Sequence, residues 1–191
     1  MSRRGLRRAE FVLLAAGLAI LGYCGAELLN SHIQQARGEH ELEQLRRNPP
    51  EVSAPPATIA EGSLVGKVEI PKLHLSAVVF QGTSDGILAR GVGHLDASAF
   101  PGQAGNVVLA AHRDTFFRSL RNIRKGDLVQ VTTPDGMRTY AVDSTEVVRP
   151  TETSVMASTP TPTLTLITCY PFYYVGHAPK RFIVRASPVS G

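Results

Sequence analysis

Few residues in this chain can do covalent chemistry. Only two cysteines occur, Cys24 and Cys169, and Cys24 lies inside a hydrophobic N-terminal stretch. Cys169 instead ends the alternating run Thr165-Leu166-Ile167-Thr168-Cys169 and is followed by Tyr170-Pro171-Phe172. Proline cannot donate to a β-ladder, so the strand stops there and leaves the thiol at a strand end beside a loop, where catalytic residues tend to sit. A thiol is a poor nucleophile until ionised, and a working one needs a basic partner and positive surroundings to lower its pKa from about 8.5. His112 and Arg181 can supply these. His112 comes where the buried-strand pattern of Asn106 to Ala111 gives way to Arg113-Asp114-Thr115, and Arg181 opens a second apolar run, Phe182-Ile183-Val184. Acyl transfer builds negative charge on a carbonyl oxygen, to which a fixed guanidinium can donate.

Other residues compete for these roles. His94, in Gly91-Val92-Gly93-His94, is an alternative base, and Arg113 and Arg185 are alternative cations. Gly82-Thr83-Ser84-Asp85-Gly86 fits the G-x-S-x-G nucleophile elbow of α/β-hydrolases, with Ser84 as its serine. That fold needs alternating strands and helices in a larger domain than the β-rich region here, and turn geometry accounts for the glycines. No C-x-x-C, H-E-x-x-H or EF-hand spacing occurs, so no metal or cofactor is expected.

The elements that must hold these residues are short β-runs separated by turns. Strands are predicted at 64–70, 77–80, 106–110, 128–132, 137–142, 145–148, 163–168 and 182–186. Pro134-Asp135-Gly136 reads as a hairpin turn. Helices are predicted only at 84–89 and 115–123, where Phe116, Leu120 and Ile123 share a face. Closely spaced strands without βαβ alternation point to a mainly β, closed or nearly closed barrel.

With 191 residues and 43% hydrophobic content the chain has room for one ordinary domain and an appendage. The net charge of +4 suggests nucleic acid at first sight, but Arg3, Arg4, Arg7 and Arg8 directly precede a hydrophobic segment and are a topology signal. Phe11 to Leu29 is long enough to cross a bilayer as a helix, and no small-x-small cleavage site follows it. The expected organisation is a cytoplasmic basic tail (1–10), a transmembrane signal anchor (11–30), a charged and proline-rich linker (31–62) and an extracytoplasmic β-domain (63–191). Gln34 to Arg47 can prolong the membrane helix, whereas Asn48-Pro49-Pro50 and Ala54-Pro55-Pro56 cannot, and form a semi-rigid spacer. With Cys24 in the membrane, Cys169 is an unpaired thiol in an oxidising compartment, a liability unless it is used.

Three blocks carry a family resemblance: Thr165 to Cys169, Asn106 to Phe117 around His112, and Ala178 to Val184 around Arg181. Over roughly Leu64 to Ala186 the sequence resembles the sortases, membrane-bound cysteine transpeptidases. It is most similar to class D, with class E next, through Cys-Tyr-Pro-Phe-Tyr-Tyr and the short cysteine-to-arginine spacing. Ala111 stands where many relatives have glycine. The resemblance implies an eight-stranded β-barrel with Cys169 as nucleophile, His112 as general acid and base, and Arg181 steadying the oxyanion or the substrate; Thr168 is the candidate substrate-binding residue. The implied partners are exported proteins with an LPxTG-like sorting signal, cleaved between Thr and Gly or Ala, and an amine acceptor on a cell-wall precursor or a pilin lysine. The alternatives are a membrane-tethered β-domain that binds peptide without chemistry, and a serine hydrolase using Ser84.

Overall fold

A computed structural model of the chain describes residues 3–47, 59–174 and 176–189. Its strands are β1 (Leu64–Ile70), β2 (Leu75–Gln81), β3 (Val92–His94), β4 (Asn106–Ala110), β5 (Leu128–Thr133), β6 (Gly136–Val148), β7 (Thr163–Tyr170) and β8 (Lys180–Pro188). They close into a barrel in the order β1-β2-β3-β4-β7-β8-β6-β5. Only β2 with β3 and β4 with β7 run parallel. Closure pairs every edge, so each strand needs only one apolar face, turned inward. Val107 and Leu109 of β4, Leu164 and Leu166 of β7 and Val184 and Ala186 of β8 supply that face on one wall, joined in the core by Phe117 and Leu120.

Sequence alone predicts eight strands and eight are present, yet not the same eight. The runs 137–142 and 145–148 are one strand, β6, whose pairing with β8 shifts register between Val142 and Ser144. The strand missed by sequence is β3, three residues long and hidden by Gly93 within it and Gly91 just before it. A Cβ on Gly91 would lie 2.7 Å from the Val78 carbonyl oxygen, and one on Gly93 would lie 2.4 Å from that of Gly82. Close approach of backbones thus selects glycine against strand propensity here. The first predicted helix is α2 (Asp85–Arg90). The second shortens to a 3-10 turn at Arg118–Asn122, with Leu120 still in the core. The predicted hairpin turn at Pro134-Asp135-Gly136 is present as a two-residue loop, Pro134 and Asp135, with Thr133 paired to Gly136 at φ +132°.

α1 (Arg3–Arg47) precedes the barrel. Its apolar half lies open, with large side chains from Phe11 to Leu29 between 62 and 72% exposed, and it is long and apolar enough to cross a membrane. Its second half packs on the barrel. Gln35 explains how: β3 pairs with β2 only from Val79 onward, which leaves the Val78 N–H beyond its reach. That N–H donates to Gln35 Oε1 at 2.7 Å, while Gln35 Nε2 donates to the Arg90 carbonyl at 2.6 Å. The amide thus stands in for a peptide group where the short strand gives out. Leu42, 4% exposed, and the Glu39–Lys67 ion pair at 3.0 Å extend the contact. The charged stretch is therefore a docked helix, and the proline-rich spacer lies at 48–58, outside the described residues.

Candidate active site

The three residues singled out for chemistry come from three adjacent segments of one barrel wall, β7 lying between β4 and β8. Side chains alternate along a strand. On β7, Leu164, Leu166 and Thr168 are buried toward the interior, so Thr165, Ile167 and Cys169 take the outer face. Register pairs Thr165 with Arg185, Ile167 with Ile183 and Cys169 with Arg181. Residues directly opposite share a face with Cβ atoms about 4.5–5.5 Å apart, which puts the Arg181 side chain next to the thiol. On the other flank Ala110 pairs with Ile167, and the Ala111 N–H donates to the Ile167 carbonyl at 3.2 Å. Ala111 belongs to the core, so His112, two residues past the end of β4, turns toward the outer face that carries Cys169.

Cys169 is a free, partly exposed cysteine, and His112 and Arg181 are partly exposed as well. Arg181 Nη1 donates to the carbonyl of Ala178, at 3.2 Å, in the segment joining β7 to β8, and to that of Lys180, at 3.0 Å, the first residue of β8. Two surface clefts of about 360 and 590 Å3 open between α1 and the region of Phe116, and neither is lined by any of the three. Cys169 lies instead on the outer face of the barrel wall.

Thr168 does not face the thiol. It is 3% exposed, and its hydroxyl donates to the Ala111 carbonyl at 2.7 Å. Strand alternation turns it inward, where it ties β7 to the chain one residue before His112. His94, the competing base, is fully buried on β3, with Nδ1 2.9 Å from Gln81 Oε1 and Nε2 2.9 Å from the Ala99 carbonyl oxygen. Burial holds its pKa below the ordinary histidine value, against the opposing pull of the Ala99 carbonyl and Asp96. A ring enclosed in this way meets no substrate.

The alternative cations separate as clearly. Arg185 shares the outer face but sits four residues from Arg181, about 13 Å along the strand, with Nε 3.5 Å from Glu146 Oε1. Arg113 is 5% exposed and its guanidinium is engaged by backbone carbonyls and by Asp114. Ser84 caps α2 at φ −65°, ψ 158°, an ordinary extended conformation without the strain of a nucleophile elbow. Among the described residues no group of three or more His, Cys, Asp and Glu is placed to hold a metal ion.

Sequence reasoning missed the support beneath the site. Tyr170, Phe172 and Phe182 pack together with ring centroids 5.3–6.3 Å apart at the end of the barrel next to Cys169 and Arg181, and Phe172 and Phe182 also rest on the core. The aromatic run after Cys169 was the available signal.

Comparison with known proteins identifies the family and the fold. A family model for the sortase domain matches residues 68–189. Sortase D of Bacillus subtilis is 33% identical over 190 residues, covering 93% of this chain and 96% of that protein. A Clostridium perfringens sortase D5 transpeptidase superposes with a TM-score of 0.69 at 22% identity, over 84% of this chain and 99% of that one, a likeness of fold. A sortase C from Clostridium perfringens, solved with the C-terminal cell wall sorting motif, superposes with a TM-score of 0.65 at 27% identity, over 82% of this chain and 88% of that one. Matched along most of its length in sequence and across its barrel in structure, the chain belongs to the sortase family of cysteine transpeptidases.

Proposed function

We propose that this sortase cleaves an LPxTG-like sorting signal between Thr and Gly or Ala and transfers the acyl group to an amine, with Cys169, His112 and Arg181 as its catalytic residues. The observation that supports the reading is the pairing of Cys169 with Arg181 on β8, with His112 following the end of the neighbouring strand β4 on the other side. The Cys169 thiolate attacks the threonine carbonyl carbon, and the Arg181 guanidinium donates to the oxygen as charge develops there. Collapse breaks the C–N bond. Protonated His112 gives its proton to the departing amine, leaving a Cys169 thioester. An incoming amine, from a cell-wall precursor or a pilin lysine, then attacks the thioester; His112 takes its proton and the thiolate is released. The sorting motif bound by the related sortase C supports this substrate class.

The apolar half of α1 serves in this reading as a single-pass anchor, with the basic N-terminus in the cytoplasm and the barrel outside, where exported substrates emerge. Mass spectrometry of the protein incubated with a panel of sorting-signal peptides tests the chemistry. The expected result is an acyl adduct on Cys169 that Cys169→Ala cannot form; peptide cleavage at the wild-type rate by Cys169→Ala would remove the proposed nucleophile.

A further inference from the structure

Arg113 follows His112 directly, is 5% exposed, and has no part in the reaction above. All three of its guanidinium nitrogens are engaged. Nη1 donates to the Pro171 carbonyl at 2.9 Å, Nη2 to the carbonyls of Tyr174 and, at 3.4 Å, Gly176, and Nε to Asp114 Oδ1 at 3.3 Å. The Tyr174 ring centre lies 6.0 Å from the guanidinium carbon. Three backbone carbonyls of the segment between β7 and β8 therefore converge on one cation carried by the histidine segment. Converging carbonyl dipoles repel one another, and a buried guanidinium is costly unless its donors are used, so each makes the other tolerable. Lysine cannot replace this arrangement, because an ammonium lacks the planar fork that reaches several acceptors at once.

The same segment leaves Cys169 at one end and returns to Arg181 at the other. Arg181 donates to its Ala178 carbonyl and to that of Lys180 at the start of β8, so one arginine holds the front of the loop and the other its end. We infer that Arg113 is a positioning residue: by holding the loop at Pro171, Tyr174 and Gly176 it sets how a sorting peptide lies against Cys169 and Arg181. None of its hydrogen bonds goes to the thiol, so its influence falls on substrate engagement and leaves thiol reactivity alone. The inference rests on Cys169 being the nucleophile.

The test compares wild type, Arg113→Lys and Cys169→Ala in steady-state turnover of a sorting-signal peptide, in alkylation of Cys169 by iodoacetamide, and in backbone order parameters. Arg113→Lys is expected to lose about tenfold to hundredfold in kcat/KM, mainly through KM, as expected when substrate is held slightly out of place. Its alkylation rate should stay within about twofold of wild type, and order parameters should fall from about 0.85 to below ~0.6 at Phe172–Tyr174 while the barrel strands keep theirs. Wild-type kcat/KM, or alkylation falling in step with turnover while order is lost throughout the barrel, overturns the inference. Should Arg113→Lys not fold, wild type decides: order parameters at Phe172–Tyr174 matching the strands support the brace, and values below ~0.6 overturn it. Activity in Cys169→Ala would undo the nucleophile assignment itself, whereas normal Arg113→Lys beside inactive Cys169→Ala undoes only the role given to Arg113.

Discussion

Cys169 and Arg181 form one rung of the β7–β8 ladder, the last but one before the strands part into their connecting loop. Their proximity is set by backbone pairing, so neither side chain can be exchanged without changing what faces the other. The outer-face pairs behind them, Ile167 with Ile183 and Thr165 with Arg185, continue the same wall and fix which arginine meets the thiol.

Arg181→Lys keeps a positive charge but loses the planar pair of donors. Turnover of a sorting peptide should fall by the ~10²- to 10³-fold that an oxyanion donor contributes, with Cys169 still alkylated by iodoacetamide. Arg185→Lys is the control and should turn over normally. The assignment to Arg181 fails if the two variants exchange behaviours.

His112→Ala should lose at least the ~10²-fold typical of a general acid-base, and more where thiolate formation depends on the imidazole. His94→Gln acts elsewhere, disturbing a buried hydrogen-bonded ring at a cost of about 1–3 kcal/mol in stability. Urea unfolding and single-turnover kinetics separate the two effects. Normal chemistry in His112→Ala together with dead chemistry in folded His94→Gln would reverse the roles.

Asp127 predicts a pH dependence. Its buried carboxylate lies 2.5 Å from Lys72 Nζ and accepts the Arg124 N–H at 2.9 Å. Burial alone raises its pKa, but the lysine and the Arg124 contacts outweigh this and hold it below the ordinary carboxylate value. The unfolded chain therefore binds the proton first: the contribution to stability is complete above the unfolded pKa of about 3.9 and declines as pH falls toward the lower folded value. Asp127→Asn should cost about 1–3 kcal/mol at pH 7 and show a shallower loss in acid. Unfolding midpoints measured from neutral pH downward check this, and parallel curves for the two proteins would contradict it.

Gln35→Leu leaves the Val78 N–H and the Arg90 carbonyl unpaired beneath α1. The expected cost is about 1–3 kcal/mol, a fall of several degrees in Tm for the detergent-solubilised full chain. An unchanged Tm would mean that the helix is not docked in solution.

The wall that carries the site was legible in the sequence because its signals are local. Cys169 and His112 each end an apolar run, and β4, β7 and β8 announce themselves by alternation and β-branched residues. What stayed hidden depends on partners far along the chain. Arg113 meets carbonyls 58, 61 and 63 residues away, the Thr168 hydroxyl bonds 57 residues back, and Gln35 bridges to residues 43 and 55 positions on. No spacing rule reports such contacts. β3 was lost for a different reason, since the glycines that let its backbone approach β2 and the chain after it are those that erase a strand signal.

Helix α1 runs unbroken from its apolar half into its seat on β1 and β2, and only six residues separate Leu29 from Gln35, about 9 Å of rise. With α1 as the proposed anchor, the barrel is carried as on a short rigid mast. Its reactive strip then sweeps a thin layer of fixed altitude above the lipid instead of the volume that a swinging tether would explore. On that proposal encounter is a search in two dimensions, and a sorting signal that emerged above or below that layer would be passed over whatever its sequence.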